Sequence, residues 1–505
     1  MLGYRSSLHF CLAAFVTNTI SYAPPENENH IFNAIHSSMR QWGSSLNHNG
    51  MSFFLATVPE GTQLYHGDGR CDPIQSPEWL AFEPEHALVF ARPPRGGHPP
   101  GEGPGRPPLG GGPPPQQVFG KSDEAEDGFL HTFAAAKDLR LLYVDGMSAG
   151  KTTNGTMDSQ DYILFHDDQD DGGDGRMKEG RRAELFCRMV QERWDGRLDG
   201  MLRMEAGFEI ILCDFARNLE VLHVSRVRPS EKEMEGDGPG GSARPGGPGG
   251  KRWLPAVASR YWKIGGDRVR LNYDNFVTAY VYGLDLFPVG GKSQPRLEHL
   301  STDELEPIRK DLDALIMNHE ASEASTNWQT VVDMVVERYG SRLRYLASGQ
   351  ASTLQQLQEE IEDIVTPFID YGQRNISIEV DRCSKHFVGR PTLVTSVAVD
   401  AVLSVSRSVC TTLLDALHHT EYDSVVDRIQ GLNDYLSWTT WKDCNGCGDH
   451  EICMIPMWPM GTVEDYNHPQ CRDFDKLDSK GPRYWGGFPE RRKSAYPPGS
   501  SRVEL

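Results

Sequence analysis

A serine lies in a short glycine-bounded segment directly after an apolar run. Residues 146–150 (GMSAG) follow residues 139–144 (LRLLYV), and G-x-S-x-G after a strand is the pattern of a nucleophile elbow. Small neighbours let a strained serine protrude and let backbone N–H groups reach an oxyanion. Ser148 is therefore a candidate nucleophile of a serine hydrolase. Because residues 151–156 are polar and turn-like rather than helical, a plain glycine-rich loop is the competing interpretation.

An acidic segment follows at residues 168–179 (DQDDGGDGRMKE). Asp168 and Asp170 take positions one and three of an EF-hand calcium loop, and Glu179 takes position twelve. Calcium needs several oxygen ligands around one centre, and this spacing can supply them. The three residues are therefore candidate metal ligands and calcium is a candidate cofactor. An acidic solvated loop is the alternative, since the chain has no second loop of this kind.

His66 and Glu209 belong to motifs at predicted strands. Residues 64–67 (LYHG) precede residues 79–91 (WLAFEPEHALVFA), and Glu209 lies in the later run GFEIILCDF. This order resembles the ADP-ribosyltransferase and poly-ADP-ribose polymerase fold. The resemblance implies that His66 holds the nicotinamide ribose, and that Glu209 is catalytic and stabilises positive charge as nicotinamide leaves. Residues 80–82 (LAF) replace the Ser-x-Ser or stacking tyrosine of that fold, so a core strand with a hydrogen-bonded histidine is the alternative.

The elements that must position these residues change in kind along the chain. Up to about residue 290, short apolar runs predict strands, with residues 208–224 forming two strands around a turn. From residue 301, apolar stripes at helical spacing follow two capping boxes, at Ser301 with Glu304 and at Thr353 with Gln356. The sequence therefore predicts an α+β fold. A mixed α/β domain with a mainly antiparallel sheet is followed by a helical domain and a disulfide-rich C-terminal segment.

The domain boundaries follow from composition. We expect the α+β domain at residues 24–290, the helical domain at 296–440, and a cysteine-rich segment with a flexible tail at 441–505. Two Pro- and Gly-dominated stretches, 93–120 and 230–250, are expected to be disordered insertions because they cannot bury a core. An amphipathic helix is predicted over residues 30–46.

The N-terminus has the features of a secretory signal peptide at residues 1–23. Arg5 supplies a basic start, residues 8–16 (LHFCLAAFV) are apolar, and Ser21 and Ala23 are small residues near the expected cleavage point. The apolar run is shorter than the roughly 20 residues that span a bilayer. We therefore expect export to the extracellular space, with no transmembrane anchor after the signal is removed.

Cysteine count and glycosylation sequons agree with export. Ten cysteines occur, and Cys11 would leave with the signal peptide, so the remaining nine leave at least one thiol unpaired. In an oxidising compartment disulfides are favoured over a zinc site for the C-terminal cysteines. These disulfide candidates are Cys444, Cys447, Cys453 and Cys471. Asn154 and Asn375 head N-x-S/T sequons and are the candidate glycosylation sites.

Several motifs together resemble an uncharacterised family of fungal secretory-pathway proteins. They are residues 42–54 (WGSSLNHNGMSFF), 64–67 (LYHG), 77–87 (PEWLAFEPEHA), 141–152 (LLYVDGMSAGKT) and 202–215 (LRMEAGFEIILCDF). The resemblance implies a secreted fungal protein and supplies no activity. A nucleic acid partner would require a basic face, and the net charge of −20 gives no indication of one, so we expect no nucleic acid partner. The sequence does not indicate an oligomeric state. We expect a secreted, non-enzymatic glycoprotein that acts by binding at the cell surface. The alternatives are an ADP-ribosyltransferase-like enzyme or a serine hydrolase.

Overall fold

A computed structural model describes most of the chain outside its N-terminus and its Pro- and Gly-rich stretches. The described residues are 27–40, 46–47, 50–75, 77–92, 128–166, 179–205, 207–227, 253–256, 268–288, 294–318, 326–388, 396–442, 444, 446–473 and 481–487. The predicted signal peptide at 1–23 and the two predicted insertions at 93–120 and 230–250 lie outside them, as do Asp168 and Asp170.

Nine strands form one sheet that is antiparallel except where β5 and β6 run parallel. The order across the sheet is β8-β4-β2-β3-β7-β6-β5-β1-β9. The strands are β1 (Ser52–Val58), β2 (Gln63–Asp68), β3 (Glu78–Ala81), β4 (Gly128–Ala135), β5 (Leu139–Val144), β6 (Gly200–Met204), β7 (Phe208–Leu212), β8 (Leu219–Val227) and β9 (Arg270–Thr278).

The middle of the sheet is covered on both faces, which explains its continuous apolar strands. Every residue of β6 and β7 is buried. Helix α3 (Glu179–Glu192) packs against β6 on one face. Towards the edge of the sheet, Phe54 of β1 stacks on its cross-strand neighbour Phe276 of β9 with ring centroids 4.6 Å apart. Strands buried on two faces are apolar at most positions rather than alternating with polar residues. Strands β6 and β7 each contain one charged exception, Arg203 and Glu209.

The helices before the helical region are short apart from α3. They are α1 (Glu28–Ser37), α2 (Pro84–Leu88), a π-helix (Ser159–Leu164) and α4 (Phe215–Asn218). The predicted helix over residues 30–46 was too long, because α1 ends at Ser37 and Met39 takes a left-handed backbone conformation with φ 55°. A residue with a left-handed backbone cannot continue a right-handed helix, so α1 stops before Met39.

The helical region contains α5 (Thr302–Asn318), α6 (Trp328–Ala347), α7 (Leu354–Val365), α8 (Ile376–Lys385), α9 (Val397–Ala416) and α10 (Tyr422–Leu436). Helix α9 lies at its centre and packs against α7, α8, α10 and the N-terminal α1. Within the part of the chain that the structure describes, α9 has the length and composition to cross a membrane, with a mean hydropathy of 1.5 over its most apolar 18 residues. Half of that 18-residue stretch is buried in the protein. A soluble core helix has the same properties.

The C-terminal segment is held by disulfides around a two-stranded sheet. Strands β10 (Glu451–Met454) and β11 (Gln470–Asp473) pair antiparallel, and α11 (Val463–Asn467) lies between them. Cys444 is bonded to Cys453 and Cys447 to Cys471. The predicted α+β class, with a mainly antiparallel sheet, a helical region and a disulfide-rich C-terminal segment, is confirmed.

Candidate functional site

The carboxyl ends of the parallel strands β5 and β6 lie side by side, and several charged residues meet there. The loop of residues 145–156 follows β5, and Glu205 follows β6. The backbone N–H of Ala149 donates to the carbonyl oxygen of Met204 at 2.8 Å, which fixes the loop to the end of β6. Functional residues tend to gather at such strand ends because loops there are positioned by a rigid sheet.

Arg203 is the centre of this arrangement. It lies in β6 with its side chain fully buried. Its Nε donates to Oε1 of Glu209 at 2.8 Å, its Nη1 donates to Oε1 of Gln160 at 3.2 Å, and its Nη2 donates to a carboxylate oxygen of Glu179. A buried guanidinium persists only when carboxylates and acceptors compensate its charge, so these four residues form one interdependent unit.

Lys151 extends the unit towards the surface. Its Nζ bonds to Oε1 of Glu205 at 2.5 Å and lies 3.3 Å from Oε1 of Glu179. The ammonium also lies 5.6 Å from the ring centroid of Trp458, which belongs to the C-terminal segment. We call Lys151, Glu179, Arg203, Glu205 and Glu209 the charge cluster; it contains three carboxylates and two cations.

The carboxylates of the charge cluster differ in their exposure to solvent. The side chains of Glu179 and Glu205 are each 22% exposed, whereas that of Glu209 is 9% exposed. Trp458 covers Lys151, and a Cβ atom at Gly150 would come within 3.2 Å of the Trp458 ring. The Gly150 backbone is therefore packed closely beneath this tryptophan. The accessible groups are Glu179, Glu205 and the edge of Lys151.

The two ends of the cluster differ in acidity. Burial raises the pKa of Glu209 to about 7, with Arg203 opposing the shift. Burial also acts to raise the pKa of Glu179, but Arg203 and Lys151 outweigh it and lower that pKa to about 2. Carboxyls with pKa values pushed apart are found in acid–base catalysis and also in structural ion networks. Here every charged residue has an oppositely charged partner within the cluster, as in a structural ion network.

Ser148 lies in the loop beside the charge cluster, but its hydroxyl is engaged elsewhere. The residue is fully buried, and Oγ donates to the carbonyl oxygen of Val144 at 2.8 Å. Its own carbonyl oxygen accepts a hydrogen bond from Gln160. A serine nucleophile needs a base within hydrogen-bond reach, and the described contacts of Ser148 include neither a histidine nor a carboxylate.

His66 and Glu209 lie on opposite faces of the sheet. Glu209 is opposite Ala81 on β3, and Ala81 is opposite Tyr65 on β2, so these three side chains share a face. His66 follows Tyr65 in the same strand and therefore points to the other face. There its Nδ1 lies 2.6 Å from the carbonyl oxygen of Trp79, and burial lowers its pKa. The structure does not bring together the pair that the ADP-ribosyltransferase resemblance implies.

The candidate calcium ligands are described in part. Asp168 and Asp170 lie outside the described residues. Glu179 is the first residue of α3, where its carboxylate accepts a hydrogen bond from Arg203 and lies 3.3 Å from Lys151 Nζ. Its described partners are thus two cations of the charge cluster.

The two sequons differ in how much room surrounds the asparagine. Asn154 is half-buried, its Nδ2 lies 3.4 Å from the carbonyl oxygen of Tyr484, and Thr156 of the same sequon is fully buried. Asn375 is exposed at the start of α8, where its Oδ1 caps the helix by accepting from Ile378 N–H at 3.2 Å. A glycan attaches to the amide nitrogen, so at Asn375 it would leave this cap intact.

Sequence reasoning missed Arg203, Glu205 and Gln160, and it did not assign Lys151 a role in a charged site. A usable signal was present at Arg203, since a cation in an otherwise apolar strand (GMLRM) must find carboxylates if the strand is buried. Gln160 gave no such signal. It lies in a π-helix, which the sequence did not predict.

Comparisons with known proteins concern the region that contains this site. A family model described as the YPL277C N-terminal domain matches residues 17–129 and 115–235. Two proteins of Saccharomyces cerevisiae (strain ATCC 204508 / S288c) are similar: uncharacterized protein YPL277C, 34% identical over 235 residues, and uncharacterized protein YOR389W, 35% identical over 221 residues. The N-terminal part of this chain is thus similar to uncharacterised fungal proteins.

The extent of the similarity is limited in both directions. Each match covers 41% of this chain, and it covers 45% of YPL277C and 35% of YOR389W. The chain therefore spans less than half the length of the curated relatives it matches. All five residues of the charge cluster fall in the region that the family model matches, whereas Trp458 and the helical region do not. No solved structure matches the chain.

Proposed function

We propose that this protein is an exported glycoprotein that acts by binding, outside the cell or at its surface, rather than by catalysis. The observation that carries the proposal is the state of the cysteines. Eight of them form four disulfides, Cys187–Cys213, Cys383–Cys410, Cys444–Cys453 and Cys447–Cys471, and the free described cysteine is Cys71. Disulfides persist in oxidising compartments and are rare in the cytosol.

The disulfides stabilise each part of the fold. Cys187 is in α3 and Cys213 directly follows β7, so the first disulfide ties the helix that carries Glu179 to the strand that carries Glu209. Cys383–Cys410 joins α8 to α9. A cross-link of this kind stabilises a fold by about 2–4 kcal/mol, largely by restricting the unfolded chain. A protein that depends on all four is expected to need an oxidising environment to fold.

The exposed sequon at Asn375 supports the same compartment. The residue is exposed, and its cap to Ile378 uses the side-chain oxygen rather than the amide nitrogen. Because N-linked glycans are added in the secretory pathway, a glycan on Asn375 would require export.

The absence of a catalytic geometry at the three candidate catalytic residues supports binding over catalysis. Ser148 is bonded to a backbone carbonyl, and His66 and Glu209 face opposite sides of the sheet. Glu209 is in addition held by Arg203 at 2.8 Å. An enzyme that uses these residues would need each of them to be rearranged.

Expression of the full-length chain in a yeast host tests the proposal. We expect the protein in the medium, a smaller apparent mass after treatment with peptide-N-glycosidase, and slower gel migration after reduction. We also expect no labelling by a fluorophosphonate probe and no release of nicotinamide from NAD. Retention in the cytosol with reduced thiols would overturn export, and labelling at Ser148 or NAD hydrolysis lost in Glu209→Gln would overturn the binding role.

A further inference from the structure

The sequon at Asn375 lies among exposed apolar side chains. Residues 371–378 are all exposed, and they include Tyr371, Ile376 and Ile378, which are 58%, 37% and 51% exposed. Scattered exposed apolar side chains are ordinary, whereas a concentration of them in one segment indicates a surface that something else covers. Here the segment contains the residue to which an N-linked glycan would be attached.

Tyr371 is exposed but held in one position. Its hydroxyl donates to Oε1 of Glu362 in α7 at 2.6 Å. The guanidinium carbon of Arg374 lies 5.8 Å from the centre of the Tyr371 ring, and Arg374 Nε donates to Oε1 of Glu379 at 2.9 Å. A side chain that is already fixed loses little further freedom when another group packs on it. Tyr371 is therefore a preformed platform at the surface.

The ion pair of Arg374 with Glu379 also fixes Asn375 relative to this ring. Glu379 Oε1 accepts from the backbone N–H of Asn375 at 3.2 Å. Tyr371 and Asn375 are four positions apart, which is at most about 14 Å even along an extended chain. The helix cap at Ile378 uses Asn375 Oδ1 rather than Nδ2. A glycan on Nδ2 would therefore start close to the Tyr371 ring without breaking the cap.

We propose that the first sugars of an N-linked glycan on Asn375 lie against the ring of Tyr371. The inference rests on the proposed glycosylation of Asn375 and goes beyond it, because it makes the glycan part of the folded surface. The C–H faces of N-acetylglucosamine are apolar, and packing them on an aromatic ring whose hydroxyl is already bonded removes apolar area from water. Ile376 and Ile378 lie two residues apart in α8 and point to different sides of it, so Tyr371 is the principal contact.

A glycan is favoured over a protein partner as the group that covers Tyr371. It would be attached four residues away, so its sugars would be present at a high effective concentration and a weak contact would be sufficient. A protein that docked on residues 371–378 would first have to displace the glycan from Asn375. The position of the sequon within the exposed segment thus selects the occupant.

Hydroxyl-radical oxidation of Tyr371, measured by mass spectrometry, tests whether sugars cover the ring. The full-length secreted protein is trimmed with endoglycosidase H, which leaves a single N-acetylglucosamine, or treated with peptide-N-glycosidase, which leaves an aspartate that still accepts from Ile378 N–H. We expect Tyr371 to be oxidised severalfold more slowly in the trimmed protein. Phe90, an exposed aromatic residue of the sheet region, is the internal control and should be oxidised equally in both.

The results that would overturn the inference separate it from the proposed function. Equal oxidation of Tyr371 in the two forms, with the sugar verified on Asn375 by mass, would overturn this inference and leave the proposed glycoprotein intact. A secreted protein without any glycan on Asn375 would overturn both.

A comparison of melting temperatures tests the energetic side of the contact. We expect the trimmed protein to melt at a higher temperature than the enzymatically deglycosylated protein. This difference should disappear in Tyr371→Ala and persist in Tyr371→Phe, which keeps the ring, and in Phe90→Ala, the matched control. Since both glycoforms of each variant contain the same substitution, the loss of the Glu362 hydrogen bond cancels. A difference that is absent from the wild type, or that survives Tyr371→Ala, would overturn the proposed contact.

Discussion

Arg203 and Glu209 lie opposite each other on β6 and β7, with Arg203 Nε 2.8 Å from Glu209 Oε1 in the interior of the sheet. The pair links the two strands to α3 through Glu179 and to the π-helix through Gln160. Four elements thus depend on one guanidinium. Removing one partner of a buried ion pair is strongly destabilising, because it leaves the other charge buried and uncompensated. Substitution of any one of these residues is therefore expected to destabilise the fold.

Replacing Arg203 should be strongly destabilising. Arg203→Met removes the cation that compensates Glu179 and Glu209 and leaves their carboxylates buried. We expect a loss of about 3–5 kcal/mol in the free energy of unfolding, measured by denaturant titration. Arg270→Met is the matched control, because Arg270 is an exposed arginine at the start of β9, and it should change stability by less than about 0.5 kcal/mol. Equal losses in the two variants would contradict the assigned role of Arg203.

Glu28 should make stability depend on pH. It is buried in α1 near Asp400 of α9, and burial, followed by the charge of Asp400, raises its pKa from 4.5 to about 8. Tyr435 of α10 also faces this carboxyl. Since the folded state holds the proton more tightly than the unfolded state, the stability that Glu28 contributes is complete below pH 4.5 and is lost as pH rises through about 8.

Glu28→Gln imitates the protonated side chain and should remove that pH dependence. We expect the melting temperature of this variant to exceed that of the wild type by a few degrees near pH 8 and to match it near pH 4.5. Thermal melts across this range, with exposed Glu192→Gln as the control, measure the difference. A wild type and Glu28→Gln with parallel pH profiles would show that Glu28 is not held in its protonated form.

The sequons should differ in occupancy. Asn375→Asp keeps an acceptor for Ile378 N–H and so preserves the helix cap, but it removes the amide nitrogen that carries a glycan. We expect this variant of the secreted protein to lose the mass of one glycan, whereas Asn154→Asp should leave the mass of the glycoprotein unchanged because Asn154 packs against Tyr484. Intact-mass measurement decides; a glycan found on Asn154 would contradict this packing.

The disulfide beside the charge cluster should matter more than the free thiol. Replacing Cys187 and Cys213 together by serine releases α3 from the end of β7, and we expect a loss of about 2–4 kcal/mol in the free energy of unfolding. Cys71→Ser is the control, because Cys71 is exposed and unbonded. A double variant as stable as the control would show that the cross-link does not support the cluster.

Elements with strong local patterns were predictable from the sequence. The apolar run at residues 139–144 is β5, and the stripe from Trp328 to Leu346 belongs to α6. The capping box at Ser301 also forms, with both its hydroxyl and its backbone N–H bonded to Glu304. These features depend on periodicity and on contacts within one turn, which the sequence carries directly.

The site was less predictable because it depends on strand order. Whether His66 and Glu209 share a face is set by the pairing of β2 with β3 and of β3 with β7, and a sequence does not state which strands are neighbours. The contact between Lys151 and Trp458 was unpredictable for the same reason, because the two residues are 307 positions apart in the sequence. The pairing of distant segments, rather than residue type, therefore determined which candidate residues lie close enough to act together.

The thiol state of the protein tests the central claim, that it is an oxidised exported protein, most directly. The full-length chain is collected from the medium, treated with an alkylating reagent without reduction, digested, and analysed by mass spectrometry. The account predicts alkylation at Cys71 alone and cross-linked peptides for the four pairs, among them Cys187–Cys213 and Cys383–Cys410. Alkylation of all nine cysteines that follow the predicted signal peptide, in protein recovered from inside the cell, would contradict it.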